Sequence, residues 1–282
     1  MSYLVLARKY RPQQFSEVVG QEHVTKALVN TILKDKVPHA LLLTGPRGVG
    51  KTTSARIFAR SLNCTELKKG EPCGKCASCK EINSGSSLAV WEIDGASNNS
   101  VDNIRELTDS LRTLPPPGSK YKIYIIDEVH MLSTAAFNAL LKSLEEPPPN
   151  TVFIFATTEP DKILDTVLSR CQRYDFTRLK DSLIIKSLSD ILGKEKIKFE
   201  KGVLEFIARK ADGGLRDAQS MLDRVMVFAE KTIKLEEVLS LFGSVDRKFF
   251  FDLALAIKNK DTRLCLDSVS YTHLTLPTIC SV

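Results

Sequence analysis

Three clusters of residues in this 282-residue sequence have the types and spacing to do chemistry. The first is Gly45-Pro46-Arg47-Gly48-Val49-Gly50-Lys51-Thr52, which fits the phosphate-loop pattern G-x-x-x-x-G-K-[ST]. Glycines in such a loop let backbone N–H groups turn toward phosphate oxygens, and the following helix N-terminus adds its positive dipole end. Lys51 is placed to bridge the outer phosphates, Thr52 to offer its hydroxyl to magnesium, and Thr53 to extend the cradle into the helix. The second is Asp127-Glu128, two acids closing the apolar run Ile123 to Ile126. A magnesium-phosphate site needs one carboxylate for the metal's water shell and a second to activate the attacking water, so Asp127 is assigned to the metal and Glu128 to the base. A third, weaker signal is Thr158, in Thr157-Thr158-Glu159-Pro160 after the run Val152 to Ala156; on its own a Thr-Thr pair there is more often a cap or turn.

Four of the seven cysteines crowd together as Cys64-x8-Cys73-x2-Cys76-x2-Cys79. Four thiolates at that spacing suit a closed tetrahedral zinc site, which is structural because it leaves no open position. A redox-sensing thiol cluster is the competing reading. His23, His39 and His130 lack ligand spacing and read as ordinary; Cys171 and Cys265 read as buried apolar side chains.

These residues need a scaffold that brings strand ends together. Ala40 to Leu43, Val90 to Ile93, Ile123 to Ile126, Val152 to Ala156 and Arg173 to Phe176 are short apolar runs alternating with amphipathic stretches, the pattern of an α/β fold with a parallel sheet wrapped by helices. The runs Pro115 to Gly118 and Pro147 to Asn150 each end a helix ahead of a strand. After Leu179 the strand signals stop, and Asp181 to Leu192, Lys201 to Ala211, Leu215 to Phe228 and Leu235 to Leu241 read as four amphipathic helices.

The expected division is therefore an ATP-binding unit at 1–178, with the cysteine insertion at 64–79, and a helical unit at 179–243. A further helical segment at 244–267 has too few apolar residues to close a core, and the chain reads as cut there. Residues 268–282 contain no Asp, Glu, Lys or Arg and show no periodicity, so they are expected to be a non-native tail.

Composition sets outer limits. Hydrophobic residues at 43% and charged residues at 26% are those of a soluble globular protein, and no apolar run approaches the roughly 18 residues of a membrane span. Met1 to Arg11 lacks a cleavage site, so a cytoplasmic location is expected. The net charge of +6 favours polyanions only weakly and excludes a dedicated DNA-coating protein.

With these motifs stand Lys9-Tyr10-Arg11-Pro12, Phe15, Val19-Gly20-Gln21, Val129-His130-Met131-Leu132, Leu144-Glu145-Glu146-Pro147, Ser169-Arg170-Cys171 and Gly214-Leu215-Arg216-Asp217. Taken together, over roughly residues 2 to 265, the chain resembles the gamma/tau family of bacterial clamp-loader AAA+ ATPases. The resemblance implies an AAA+ P-loop NTPase fold with a small helical lid and the start of a helical collar. It also implies ATP, magnesium and zinc as cofactors, with zinc on the four cysteines named above.

The resemblance further implies that the box from Tyr10 to Gln21, including Arg11 and Val19, lines the adenine pocket. Thr158 becomes a sensor of the γ-phosphate, and Arg216 a second sensor at the start of a lid helix. Arg170 reaches the ATP of a neighbouring subunit, which implies a pentamer-like hetero-oligomeric ring. The implied partners are other loader subunits, a sliding clamp and primed DNA, with polymerase contacts carried only by a longer C-terminal region. Arg105 and Lys142 are the implied DNA-phosphate contacts, whereas Asn98 and Asn99 stand where relatives often carry a basic residue. Two rival readings stay open: a non-hydrolysing structural member of a loader, and an AAA+ motor acting on DNA junctions.

Overall fold

The computed structural model describes residues 4–97, 107, 110–111, 113–228, 232–242 and 247–264. Arg105, Asn98, Asn99, Cys265 and the 268–282 tail lie outside the described residues.

A short helix α1 (Leu6–Lys9) leads through a 3-10 turn (Phe15–Glu17) to α2 (Glu22–Leu33), and then to β1 (Ala40–Thr44) and α3 (Lys51–Leu62). The insertion carries α4 (Ala77–Ser84). It is followed by β2 (Val90–Asp94), β3 (Lys122–Asp127), α5 (Thr134–Glu145), β4 (Thr151–Thr157), α6 (Asp165–Leu168) and β5 (Gln172–Asp175). The five strands pair in parallel in the order β2-β3-β4-β1-β5. Strand β4, late in sequence, thus sits between β1 and β3, and the carboxyl ends of all three lie along one edge. The register pairs Thr44 with Thr157 and Ile126 with Phe155.

Every residue of β1 and β4 is buried, which is why both read as unbroken apolar runs. Alternation then assigns the two faces. Leu41, Leu43, Ile123, Ile125 and Ile154 pack with Ile57 and Phe58 of α3. Leu42, Tyr124, Ile126, Phe153 and Phe155 pack with Phe137, Leu140 and Leu144 of α5. The buried Tyr124 hydroxyl is matched by Ser110 Oγ at 2.7 Å. Edge strand β2 is half-open, with Trp91 exposed.

Beyond Leu179 come α7 (Asp181–Glu195), β6 (Lys198–Phe199), α8 (Val203–Lys210), α9 (Leu215–Phe228), β7 (Thr232–Ile233), α10 (Leu235–Leu241) and α11 (Arg247–Lys258). The first four helices after β5 share an apolar cluster built on Ile184, Leu188, Leu192, Leu204, Ile207, Leu222 and Val238. The expectation that strands stop at Leu179 is corrected: β6 and β7 form a two-stranded parallel pair, Phe199 opposite Ile233. Two-residue strands carry no readable periodicity.

Candidate nucleotide site and cysteine cluster

A cavity of about 410 Å³ opens at the carboxyl edge of the sheet, between β1, β3 and the start of α9. The sequence builds its floor locally. Gly45 has φ +138°, and a Cβ there would lie 2.3 Å from the carbonyl oxygen of Phe176. Gly48 has φ +75°, and a Cβ there would lie 3.3 Å from Asp217 Oδ2 and 3.4 Å from Arg216 Cβ. Only glycine accommodates both the torsions and the contacts.

Lys51, 6% exposed, donates from Nζ to the carbonyl oxygens of Gly45 (2.7 Å) and Pro46 (2.8 Å). Burial lowers its pKa, while Glu128 and Asp127 oppose that shift. Residues Arg47 to Thr53 all border the cavity, and Gly45 and Pro46 form the loop behind it.

The Thr52 hydroxyl donates to Asp127 Oδ2 at 2.6 Å, so the two side chains expected to share a magnesium ion already face each other. Glu128 borders the same space. Its φ of +45° places a bulky residue in the left-handed region, and its Oε2 accepts from Thr158 Oγ1 (3.1 Å) and Thr158 N (3.3 Å). Thr158 therefore meets the acid and is absent from the cavity wall.

His130, which the sequence reading set aside, lies beside this pair with its side chain 6% exposed. Its Nδ1 lies 3.0 Å from Thr157 Oγ1 and 3.4 Å from Glu128 Oε2, and its Nε2 lies 3.4 Å from Glu159 Oε1. The sequence signals for it were its position three residues after Asp127 and its place in the Val129 to Leu132 motif. Asp94, at the end of β2, and Gln219, one turn after Arg216 on α9, also line the cavity. The first could have been found from the strand-end rule for open α/β sheets, the second from i,i+3 spacing.

Arg11, Val19 and Arg216 border the cavity. Burial first, and then the neighbouring Arg56, Arg216 and Arg8 against Glu92, lower the pKa of Arg11. This marks a cationic pocket. Tyr10 departs from the expectation: its hydroxyl donates to Glu195 and its ring packs on the helical cluster, away from the cavity. Leu6 of α1 belongs to that cluster, which draws Tyr10 to the same side. Gln21 is fully buried and holds the backbone of Thr177 through both amide atoms (2.7 and 3.2 Å).

Arg170 lies elsewhere, donating to Thr166 O (2.6 Å) and Glu145 Oε1 (2.8 Å) at the surface. Lys142 is exposed on α5. Burial pushes the Cys171 thiol up to about 12, in keeping with an apolar role.

The sulfurs of Cys64, Cys73, Cys76 and Cys79 all lie within 4.8 Å of one another, and no disulfide joins them. Backbone N–H groups point at them: Cys73 N to Cys64 Sγ (3.3 Å), Lys75 N and Cys76 N to Cys73 Sγ (3.4 and 3.3 Å). Against the opposing effect of burial, hydrogen bonds from Thr65 and Cys79 bring Cys76 down to about 6, while burial and the neighbouring thiols push Cys79 up. A cluster of four thiols with amide donors around them is compatible with zinc. The stretch after the cluster is helical: Ser78, Cys79 and Ile82 bury one side of α4.

A family model described as DNA polymerase III, delta subunit, matches residues 20–180. A second, described as DNA polymerase III clamp loader subunit, ATPase lid domain, matches residues 183–231. The chain is 49% identical over 270 residues to DNA polymerase III subunit tau of Bacillus subtilis, covering 96% of this chain and 48% of the relative. It is 40% identical over 282 residues to DNA polymerase III subunit gamma of Buchnera aphidicola subsp. Baizongia pistaciae, covering 99% and 76%. The chain thus spans about half the length of the Bacillus tau relative. Among solved structures, the Thermotoga maritima RuvB Holliday junction branch migration motor superposes with a TM-score of 0.60 at 19% identity, over 89% of this chain and 80% of that one. At that identity the likeness shows a shared fold. Among the described residues no helix is long and apolar enough to cross a membrane.

Proposed function

This chain belongs to the gamma/tau family of DNA polymerase III clamp-loader AAA+ ATPases, and on that premise we propose that it is the ATP-hydrolysing motor of a loader that opens a sliding clamp and places it on primed DNA. The observation that carries the reading is the convergence of Lys51, Thr52, Asp127, Glu128 and Arg216 on one cavity, with Thr52 Oγ1 2.6 Å from Asp127 Oδ2. A non-hydrolysing structural member would have no use for an intact lysine, hydroxyl, metal acid and base together.

In this reading the phosphates of ATP displace the loop carbonyls from Lys51, whose ammonium turns to the outer phosphates. Gly45 to Thr53 supply the backbone cradle, and Arg11 and Val19 border the adenine end. Thr52 and Asp127 would hold magnesium, which when bound neutralises charge on the phosphate oxygens. Glu128 accepts the proton of the attacking water. Thr158, hydrogen-bonded to Glu128 in this conformation, reports the γ-phosphate by exchanging that partner. Arg216 links the phosphates to α9, so residues 179–243 act as a lid on the unit at 1–178, with 244–267 contributing to a collar. Arg170 serves the neighbouring subunit's ATP in a pentamer-like ring. Lys142 and Arg105 contact DNA phosphates, and the four cysteines hold zinc as a structural staple.

The test is phosphate release by the assembled complex of this protein with its partner subunits. Stimulation by clamp and primed DNA together supports the loader. Stimulation by four-way junction DNA alone would replace it with a branch-migration motor.

A further inference from the structure

Glu71, on the stretch between Cys64 and Cys73, reaches the short segment Gln13 to Ser16 directly, and Asn83, just past the thiol cluster, reaches it only through Arg60. Glu71, two residues before Cys73, accepts from the backbone N–H groups of Phe15 (2.7 Å, Oε2) and Ser16 (2.9 Å, Oε1). These are the leading N–H groups of the 3-10 turn Phe15–Glu17, which has no cap from its own side chains. A carboxylate 55 residues away therefore caps that turn, a charge-assisted pairing stronger than a neutral one. On the other side Asn83, four residues after Cys79, accepts from Arg60 Nη1 (3.2 Å). The same guanidinium, 3% exposed, donates to Gln13 Oε1 and Gln13 O (2.8 Å).

Glu71 is held in place from two directions. Lys68 and Glu71 exchange backbone hydrogen bonds (3.1 and 2.9 Å) around a two-residue turn, Lys69 at φ +53° and Gly70 at φ +83°. A Cβ on Gly70 would lie 2.8 Å from Val29 Cγ1, so the turn presses on α2. On its other side the chain runs into Cys73, whose N–H is already tied to Cys64 Sγ. The capped turn in turn sets the cavity: Val18 N donates to Phe15 O (3.1 Å), and Val18 and Val19 form part of the cavity wall.

We propose that Glu71 is a positioning residue through which the cysteine-held insertion fixes the base-binding side of the nucleotide site, so that filling the four thiolates with zinc raises affinity for the nucleoside part of ATP. The inference rests on the reading of the cavity as an adenine-nucleotide site. Its signature is selectivity by ligand part, because the hydrogen bonds of Glu71 go to Phe15, Ser16 and Lys68 and not to the phosphate loop.

The test compares binding of fluorescent mant-ADP with that of inorganic tripolyphosphate, by titration of the zinc-loaded complex, the chelated complex, and each again with Glu71→Ala. The expected result is about a tenfold loss of mant-ADP affinity in Glu71→Ala, about the worth of one charge-assisted hydrogen bond, with tripolyphosphate binding unchanged. Chelation should weaken the wild type similarly and add little to the variant, while amide exchange at residues 13–16 rises in both. The proposal is overturned if mant-ADP binds the variant within twofold of wild type, if tripolyphosphate weakens in parallel, or if chelation costs the variant as much as the wild type. Should the zinc-loaded wild type bind tripolyphosphate but not mant-ADP, the adenine-nucleotide reading itself falls, and this inference with it.

Discussion

Replacing Arg170 by alanine separates two roles that predict opposite outcomes. Within the chain, Arg170 bonds to Thr166 O and pairs with Glu145, the two side chains being 33% and 53% exposed. A pair so open to solvent contributes about 0.2–1 kcal/mol. The melting temperature of a chain this size should then fall by no more than about 4 °C. A guanidinium delivered to a neighbour's ATP is worth far more, about 10³–10⁵ in turnover, or about 4–7 kcal/mol of barrier. The assay is phosphate release by the assembled complex with clamp and primed DNA, alongside ATP binding and thermal melting of the same preparation. The expected outcome is near-native melting and ATP affinity with stimulated turnover reduced at least a thousandfold. Turnover within threefold of wild type would refute the trans role and leave Arg170 as half of a surface ion pair.

Three further outcomes follow from the geometry. Glu128→Gln should lower turnover by about 10²–10⁴ while keeping ATP affinity, since the amide preserves shape but accepts no proton; single-turnover kinetics with equilibrium binding checks this, and unchanged turnover would remove Glu128 as the base. Leu140→Ala, at a fully buried position against the sheet, should cost about 2–5 kcal/mol in denaturant melts. Glu195 is held below its ordinary pKa first by Lys9 and then by Tyr10. A carboxyl lowered in the folded state contributes stability above its unfolded pKa of about 4.3 that is lost as pH falls through the folded value. Glu195→Gln should therefore flatten the acid limb of the stability profile below about pH 4.3, by at most about 1 kcal/mol for so exposed a pair; an unchanged acid limb would count against it.

What could be read from sequence was whatever local chemistry dictates. The phosphate loop, β1 and α3 are contiguous, and glycine torsions, a buried strand and a helix start leave marks within a dozen residues. The five strands of the sheet and four helices after it were legible for the same reason, through apolar period and proline stops. Illegible features depend on partners far along the chain. Tyr10 looks like a member of the box it follows, but its ring is claimed by the cluster around Leu188 and Leu222. Thr158 was placed at the right strand end, yet its bond to Glu128 requires β4 to lie beside β3, which only the strand order reveals. Glu71 sits in an insertion whose composition announces cysteines and turns; nothing in it signals a cap for Phe15.

Arg216 N donates to Gly48 O at 3.2 Å, and a Cβ added to Gly48 would lie 3.4 Å from both Arg216 Cβ and Gly214 Cα. Phosphate loop and helix α9 thus share a pivot with no spacer between them. The helix has 14 residues, so it is about 21 Å long. A tilt of about 5° at Gly48 sweeps its far end through about 2 Å, by the geometry of a rigid rod of that length. Displacements of the loop too small to alter the sheet are thereby magnified at the far side of the helical cluster, which turns one glycine of the loop into a gear.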